Sequence, residues 1–251
     1  MPFSLDGRVA LVTGSSTGLG KAVAFGLARS GAKVALNYFN NEERAAQTFS
    51  EFEAEGFEGV MLRGDVSDED SVNALCAETA EKLGAIDILV VNATPDQPQM
   101  PIEEFTWDHY QAMIDFFIKS PYLLTRAVLP HMKESRWGRI INITSEVFQR
   151  SIGNFSAYVS AKGGQIGFTR SMATELAPFN ITVNLVAPGW IPVERHENDS
   201  QEQKDGYREM IPMDRWGVPD DIAGAVTYYA SDEAGFVTGQ TICVNGGMSP
   251  W

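Results

Sequence analysis

Short aliphatic and β-branched runs alternate along the chain with longer stretches in which apolar residues recur every three or four positions. The first pattern predicts buried strands and the second amphipathic helices. Strands are expected over Arg8 to Thr13, Lys33 to Tyr38, Val60 to Arg63, Ile86 to Asn92, Arg139 to Ile143, Ile181 to Ala187 and Thr241 to Val244. Helices are expected from about Gly18 to Ser30, over Asn41 to Glu55, over Thr106 to Met132 with an interruption at Pro121, and over Ala157 to Leu176. Another opens at Ser67-Asp68-Glu69-Asp70, a capping box with Ser67 as N-cap, and runs to Leu83. Alternation of this kind predicts parallel strands joined by right-handed crossovers. The fold class is therefore α/β: a single doubly wound parallel sheet with helices on both faces, residues 1–251 forming one domain.

One stretch breaks the pattern. Val193 to Glu209 contains a run from Glu194 to Asp205 that is too polar to bury much surface. It reads either as a solvated connection or as a substrate lid, the lid spanning about residues 190–213. Glu51, Glu53, Glu55 and Glu58 read as a solvated face.

Composition narrows the function classes. With 251 residues, 44% of them hydrophobic, the chain can build a core without staples. Cys76 and Cys243 have neither metal nor redox spacing, so both are expected as small core residues in a reducing compartment. A formal net charge of −14 excludes binding to a nucleic-acid backbone and disfavours docking onto an acidic partner. His109, His131 and His196 lack ligand spacing, so no metal site is expected. No apolar run approaches membrane-spanning length, and Met1 to Asp6 is neither basic nor long and apolar. A cytoplasmic protein without membrane contact is expected.

Two motifs carry chemistry. Between the first strand and first helix stands Thr13-Gly14-Ser15-Ser16-Thr17-Gly18-Leu19-Gly20. Gly14 permits a tight turn, Gly18 lets the backbone approach a pyrophosphate, and Gly20 lets the helix lie close to the sheet. The helix N-terminus then offers N–H groups to phosphates. No Lys-Ser or Lys-Thr closes the turn, which argues against a nucleoside triphosphatase. Tyr158 and Lys162, four residues apart, share one helical face, and Ser145 lies at the carboxyl end of a strand, where ligands gather in open α/β sheets. Reduction of a carbonyl leaves charge on oxygen that a phenol can neutralise with a proton. Bringing a phenol from about 10 to about 7 takes about 4 kcal/mol, and a lysine beside it acts in that direction. Ser145 is suited to hydrogen-bond the carbonyl oxygen.

The glycine spacing together with Ser145, Tyr158 and Lys162 resembles the short-chain dehydrogenase/reductase family, over about Gly7 to Gly247. The resemblance implies a Rossmann-type fold and an NAD(P)(H)-dependent oxidoreductase that interconverts a carbonyl and a secondary alcohol. It implies catalysis by Ser145, Tyr158 and Lys162, with Lys162 also holding the nicotinamide ribose. Asp65-Val66 matches the acidic position that meets the adenine, Asn92-Ala93 matches the middle of the family's Asn-Asn-Ala-Gly signature, and Pro188-Gly189, with Ile191 after it, matches the nicotinamide-side turn. Arg215-Trp216-Gly217, with Pro219 and Asp221, resembles the start of the family's late helix. The implied cofactor-binding set is thus Gly14, Ser16, Thr17, Gly18, Leu19, Gly20, Asn37, Tyr38, Asp65, Val66, Asn92, Ala93, Tyr158, Lys162, Pro188, Gly189 and Ile191.

Asn37-Tyr38-Phe39-Asn40 carries no carboxylate where NAD enzymes of this type hold the ribose, which favours NADP(H) and leaves NAD(H) as a second cofactor. Arg44 and the amides of Asn37 and Asn40 are the candidate partners of a 2′-phosphate. Glu146, Phe148, Phe155, Trp190 and Val193 are expected to line the substrate side, from their place beside these segments. Family members similar in sequence include 3-oxoacyl-carrier-protein reductases and glucose dehydrogenases. Thr174 stands where a carrier-protein reductase would keep a basic residue, which disfavours a carrier-bound substrate. A homotetramer is implied, packed through the helices around Thr106 to Met132 and Ala157 to Leu176 and through the C-terminal strand.

The chain departs from the family at Phe117, where an asparagine usually serves a proton relay. Pro121 has no N–H for the carbonyl of residue 117, so that carbonyl is expected to hold the relay water instead. The same residues speak against two rival functions. A dinucleotide sensor without catalysis would lose the Ser-Tyr-Lys set, and a cofactor-free lyase resembling halohydrin dehalogenases would carry arginine in place of Lys162.

Overall fold

The structure, a computed structural model, describes residues 3–250. Its strands are β1 (Val9–Val12), β2 (Lys33–Tyr38), β3 (Gly59–Arg63), β4 (Ile88–Val91), β5 (Gly138–Ile143), β6 (Ile181–Pro188) and β7 (Thr241–Val244). The helices are α1 (Gly18–Arg29), α2 (Glu42–Ala54), α3 (Glu69–Leu83), α4 (Trp107–Ile114), α5 (Ser120–Ser135), α6 (Val147–Arg150), α7 (Ser156–Leu176), α8 (Gln201–Glu209) and α9 (Pro219–Ala230). All seven strands pair in parallel, in the order β3-β2-β1-β4-β5-β6-β7. This is the doubly wound sheet expected from the alternation.

The strands are largely apolar because both faces of the sheet are covered. Ala10, Val12, Val34, Leu36, Ile88, Val90, Ile141 and Ile143 pack with residues of α1, α2 and α9. Their neighbours Leu11, Ala35, Leu89, Val91 and Ile140 pack with α3, α5 and α7. A one-residue slip of any strand would exchange these faces, and each large side chain so displaced is worth about 1.5–3 kcal/mol. A third cluster joins Met113 and Phe117 to Phe155, Ala157, Tyr158 and Ala161. Strand order reverses between β1 and β4, so the crevice at their carboxyl ends is the topological place for a ligand.

Three expectations are corrected, and the stretch left open between connection and lid is seen as ordered structure. The N-cap of α3 is Asp68, whose carboxylate accepts from the Ser71 N–H at 2.8 Å; the hydroxyl of Ser67 donates instead to Asp65 at 2.6 Å. The long helix is interrupted before Pro121 by a π turn over Asp115–Lys119, in which the Ser120 N–H reaches the Asp115 carbonyl five residues back. Pro121 then falls in the first turn of α5, where its missing N–H costs least. The polar stretch after Val193 is ordered as a 3₁₀ turn, Glu194–His196, and as α8, capped by Ser200 accepting from the Gln203 N–H at 3.2 Å. Cys76 and Cys243 are free and only half-buried rather than fully within the core.

Candidate active site

The glycine turn is built by hydrogen bonds from neighbouring strand ends. The Thr13 hydroxyl accepts from the N–H groups of Asn92 at 2.9 Å and Ala93 at 3.1 Å, tying β1 to β4. The Asn92 amide donates to the carbonyls of Thr13 at 2.9 Å and Gly14 at 3.0 Å. Gly14 is left-handed, at φ 62°, and a Cβ there would stand 2.8 Å from the Ala93 Cα. A Cβ at Gly20 would collide with the Gly14 carbonyl and the Asn92 amide. Only glycine at both positions lets α1 start against the sheet. Thr17 caps α1 without a side-chain bond, and its buried hydroxyl has no partner. Free N–H groups, the positive helix end and an orphan hydroxyl together fit a phosphate.

The predicted adenosine-side residues divide. Asp65 sits half-buried at the end of β3, its Oδ1 accepting from the Ser67 N–H at 2.8 Å, with Val66 buried beside it. Asn37 is corrected as a candidate partner of a 2′-phosphate. It is 2% exposed, its Oδ1 accepts from the Gly14 N–H at 3.1 Å, and its amide donates to the Tyr38 and Gly64 carbonyls. It supports the turn from beneath. Tyr38 is half-buried and pairs in register with Arg63, an arginine the sequence reading missed because it belongs to a different strand. Arg63 Nε donates to the Phe39 carbonyl at 3.1 Å, just beyond the end of β2. Arg44 is exposed, and its backbone N–H is used to cap α2.

At the other half of the crevice, Ser145 follows β5 and hydrogen-bonds Tyr158 in the first turn of α7; its Oγ also accepts from the Val147 N–H at 3.4 Å. Tyr158 is 6% and Lys162 3% exposed. The ammonium donates to the Ile143 carbonyl at 2.7 Å and to Gln165 Oε1 at 3.1 Å, and stands 3.7 Å from the centre of the Phe117 ring. Burial pushes the Tyr158 phenol up to about 12, against the opposing pulls of the Ser145 hydrogen bond and the Arg195 charge. Burial, and then Arg195, drive Lys162 well below its ordinary value. Burial of both groups thus acts against the acidification expected from Lys162, and its effect on Tyr158 is the larger.

Two residues expected on the substrate side have other surroundings. Glu146 is 3% exposed; its Oε1 accepts from the Tyr207 hydroxyl at 2.6 Å and from Arg150 at 3.0 Å, while Oε2 has no partner. The Tyr207 hydroxyl in turn accepts from the Trp190 N–H at 2.7 Å, so α8 is fastened to the residue after Ser145. Val193 lies against Gly18, over the glycine turn. Phe155 stacks at a tilt on Tyr158 with centroids 4.8 Å apart, and Phe148 lies against Gly163. Trp190 meets Tyr207 and Trp216 edge-on at 5.2 and 5.8 Å. Gly189 and Ile191 flank it, following Pro188 at the end of β6.

A family model described as enoyl-(acyl carrier protein) reductase matches residues 14–249. The chain belongs to the short-chain dehydrogenase/reductase family. It is an NAD(P)-dependent oxidoreductase of that family. The 3-oxoacyl-[acyl-carrier-protein] reductase FabG of Staphylococcus aureus is 41% identical over 245 residues, 96% of this chain and 98% of that one. A gluconate 5-dehydrogenase from Burkholderia cenocepacia, solved with NADP and tartrate, superposes with a TM-score of 0.89 at 36% identity, covering 98% of this chain and 96% of that one. A chain from Agrobacterium tumefaciens, provisionally named a gluconate dehydrogenase, gives 0.93 at 34% identity, covering 98% and 97%. No helix among the described residues is long and apolar enough to cross a membrane.

Proposed function

We propose that the chain interconverts a small-molecule carbonyl and a secondary alcohol with NADP(H), using Ser145, Tyr158 and Lys162. The observation carrying this reading is the convergence of those three side chains at the carboxyl end of β5, in the same crevice as a turn whose glycines leave no room for a Cβ. Bound there, the nicotinamide would supply or take up hydride. Tyr158 holds the proton for the substrate oxygen, Ser145 donates a hydrogen bond to that oxygen, and Lys162 keeps a positive charge beside the phenol. A phenol pushed up to about 12 stays protonated at neutral pH, the state needed to reduce a carbonyl. Pro121 offers no N–H to the Phe117 carbonyl, which serves as the resting place of the relay water.

NADP(H) is favoured by the absence of a carboxylate at the end of β2 and by Arg44 and Arg63 at that edge, with NAD(H) the second cofactor. The NADP of the Burkholderia enzyme supports this. The substrate is free rather than carrier-bound, since Thr174 is exposed at the position where a basic docking residue would stand. The exposed rings of Trp107 and Tyr122, on α4 and α5, fit the homotetramer that the family resemblance implies. The test is a panel of ketones, hydroxy acids and 3-oxoacyl thioesters followed by nicotinamide absorbance with each cofactor. Turnover of a small ketone or alcohol with NADP(H) is expected. Turnover confined to carrier-bound thioesters, or binding without any turnover, would overturn the reading.

A further inference from the structure

Lys162 is buried, and among the described residues no carboxylate is paired with it. Its surroundings come from three elements. The Ile143 carbonyl ends β5, Gln165 lies one turn further along α7, and Phe117 lies in the π turn. The approach of the π turn depends on Gly164, where a Cβ would stand 2.6 Å from Ile118 Cδ1. A larger residue there would press on the turn that carries Phe117.

We propose that Phe117 and Gln165 are positioning residues for Lys162, gripping its ammonium with the Ile143 carbonyl so that the charge stays beside Tyr158 without an asparagine in the site. The inference rests on the reading of Lys162 as part of the catalytic set. An ammonium has three N–H groups, and here a carbonyl, an amide oxygen and an aromatic face receive them. Each of those partners favours the charged form. Burial and the Arg195 charge oppose them. The titratable or charged groups around Lys162 are Tyr158 on α7 and Arg195 on the turn before α8; Ser145, Phe117 and Gln165 carry no charge. Gln165 therefore holds a positive charge in place against a second positive charge. Removing its acceptor oxygen lets Lys162 lose its proton more readily, and Tyr158 then keeps its own to higher pH.

The experiment is the pH profile of kcat for alcohol oxidation, in which Tyr158 must accept a proton, measured on the wild type, Gln165→Met and Phe117→Leu. The rising limb should move to higher pH by about one unit in Gln165→Met, a tenfold fall in the ionised fraction at a fixed pH. In Phe117→Leu it should move the same way by less. Circular dichroism and NADPH fluorescence check that each variant is folded and loaded. Because the two substitutions lie on different elements, Phe117→Leu decides if Gln165→Met does not fold, and Gln165→Leu replaces the pair if neither folds. A rate lowered evenly at every pH, with the limb in place, would show a merely structural role and overturn the proposal. Lys162→Met separates the two readings. If it keeps full turnover, the catalytic reading itself fails; if it is inactive while the limb stays put in the other variants, only the positioning proposal fails.

Discussion

The fastening of α8 gives a prediction whose magnitude follows from two hydrogen bonds. Tyr207 donates to the buried Glu146 carboxylate at 2.6 Å and accepts from the Trp190 N–H at 2.7 Å. Tyr207→Phe removes both bonds and leaves the ring in its stack with Trp216, 5.7 Å between centroids. Glu146 keeps only Arg150 on Oε1, with Oε2 already unpartnered, and the Trp190 N–H loses its acceptor. A hydrogen bond to a charged group is worth about 1.5–3 kcal/mol, so a loss of about 2 kcal/mol is expected. For a chain of this size that lowers Tm by about 4–8 °C in differential scanning calorimetry. KM for the substrate should rise with it, because Trp190 and α8 share the same support. Combining Tyr207→Phe with Glu146→Gln should cost less than the two single changes added together, since both break one bond. A Tm within about 1 °C of wild type, or strict additivity, would refute the idea that Glu146 holds α8.

Three further outcomes are expected. Tyr158→Phe should lower turnover by about 10²–10⁴-fold while NADPH affinity, read by fluorescence titration, stays within about twofold, because only the proton donor is lost. Arg63→Ala should weaken NADPH about fivefold and leave NADH unchanged, the loss shrinking as salt rises, in keeping with an exposed cation at the β2 edge. Lys162→Met should be inactive yet more stable at neutral pH by about 1–4 kcal/mol, since an apolar side chain replaces a buried ammonium without a carboxylate partner. The sign with pH follows from the depressed folded-state pKa. The unfolded chain binds the extra proton, so the variant's advantage is greatest below the folded value and fades as pH rises towards about 10.4, as urea melts across that range would show.

Periodicity read the sheet well because burial on both faces leaves unbroken apolar runs, as in Val9–Val12 and Ile88–Val91. It failed where local chemistry competes. Ser67 and Asp68 both offer cap oxygens, and the choice fell to Asp68 because Ser67 is drawn to Asp65. The helix α8 is polar in sequence, and its order comes from one tyrosine reaching a carboxylate 61 residues away, which no local pattern announces. Ser145, Tyr158 and Lys162 were legible as types at a spacing, whereas their protonation states were not, because burial is a property of the packed core. Gln165 was within reach of the sequence, three residues beyond Lys162 on the same face. Arg63 was not, since strand register alone brings it beside Tyr38.

The chain is acidic as a whole, whereas positive elements stand at its site. A net charge of −14 repels anions from the surface as a whole. Inside the crevice the nearest carboxylate to Ser145, Glu146, is already bound by Arg150 and Tyr207. The buried Lys162, with Arg195 close enough to act on it, and the start of α1 remain as positive elements, with no carboxylate matched to Lys162 among the described residues. An anion small enough to leave the acidic exterior behind meets a positive field only at the end of its path, where low dielectric strengthens each interaction. A large acidic partner meets the exterior first. If the substrate is free, as proposed, the acidic exterior disfavours an acidic carrier protein before any residue of the site makes contact.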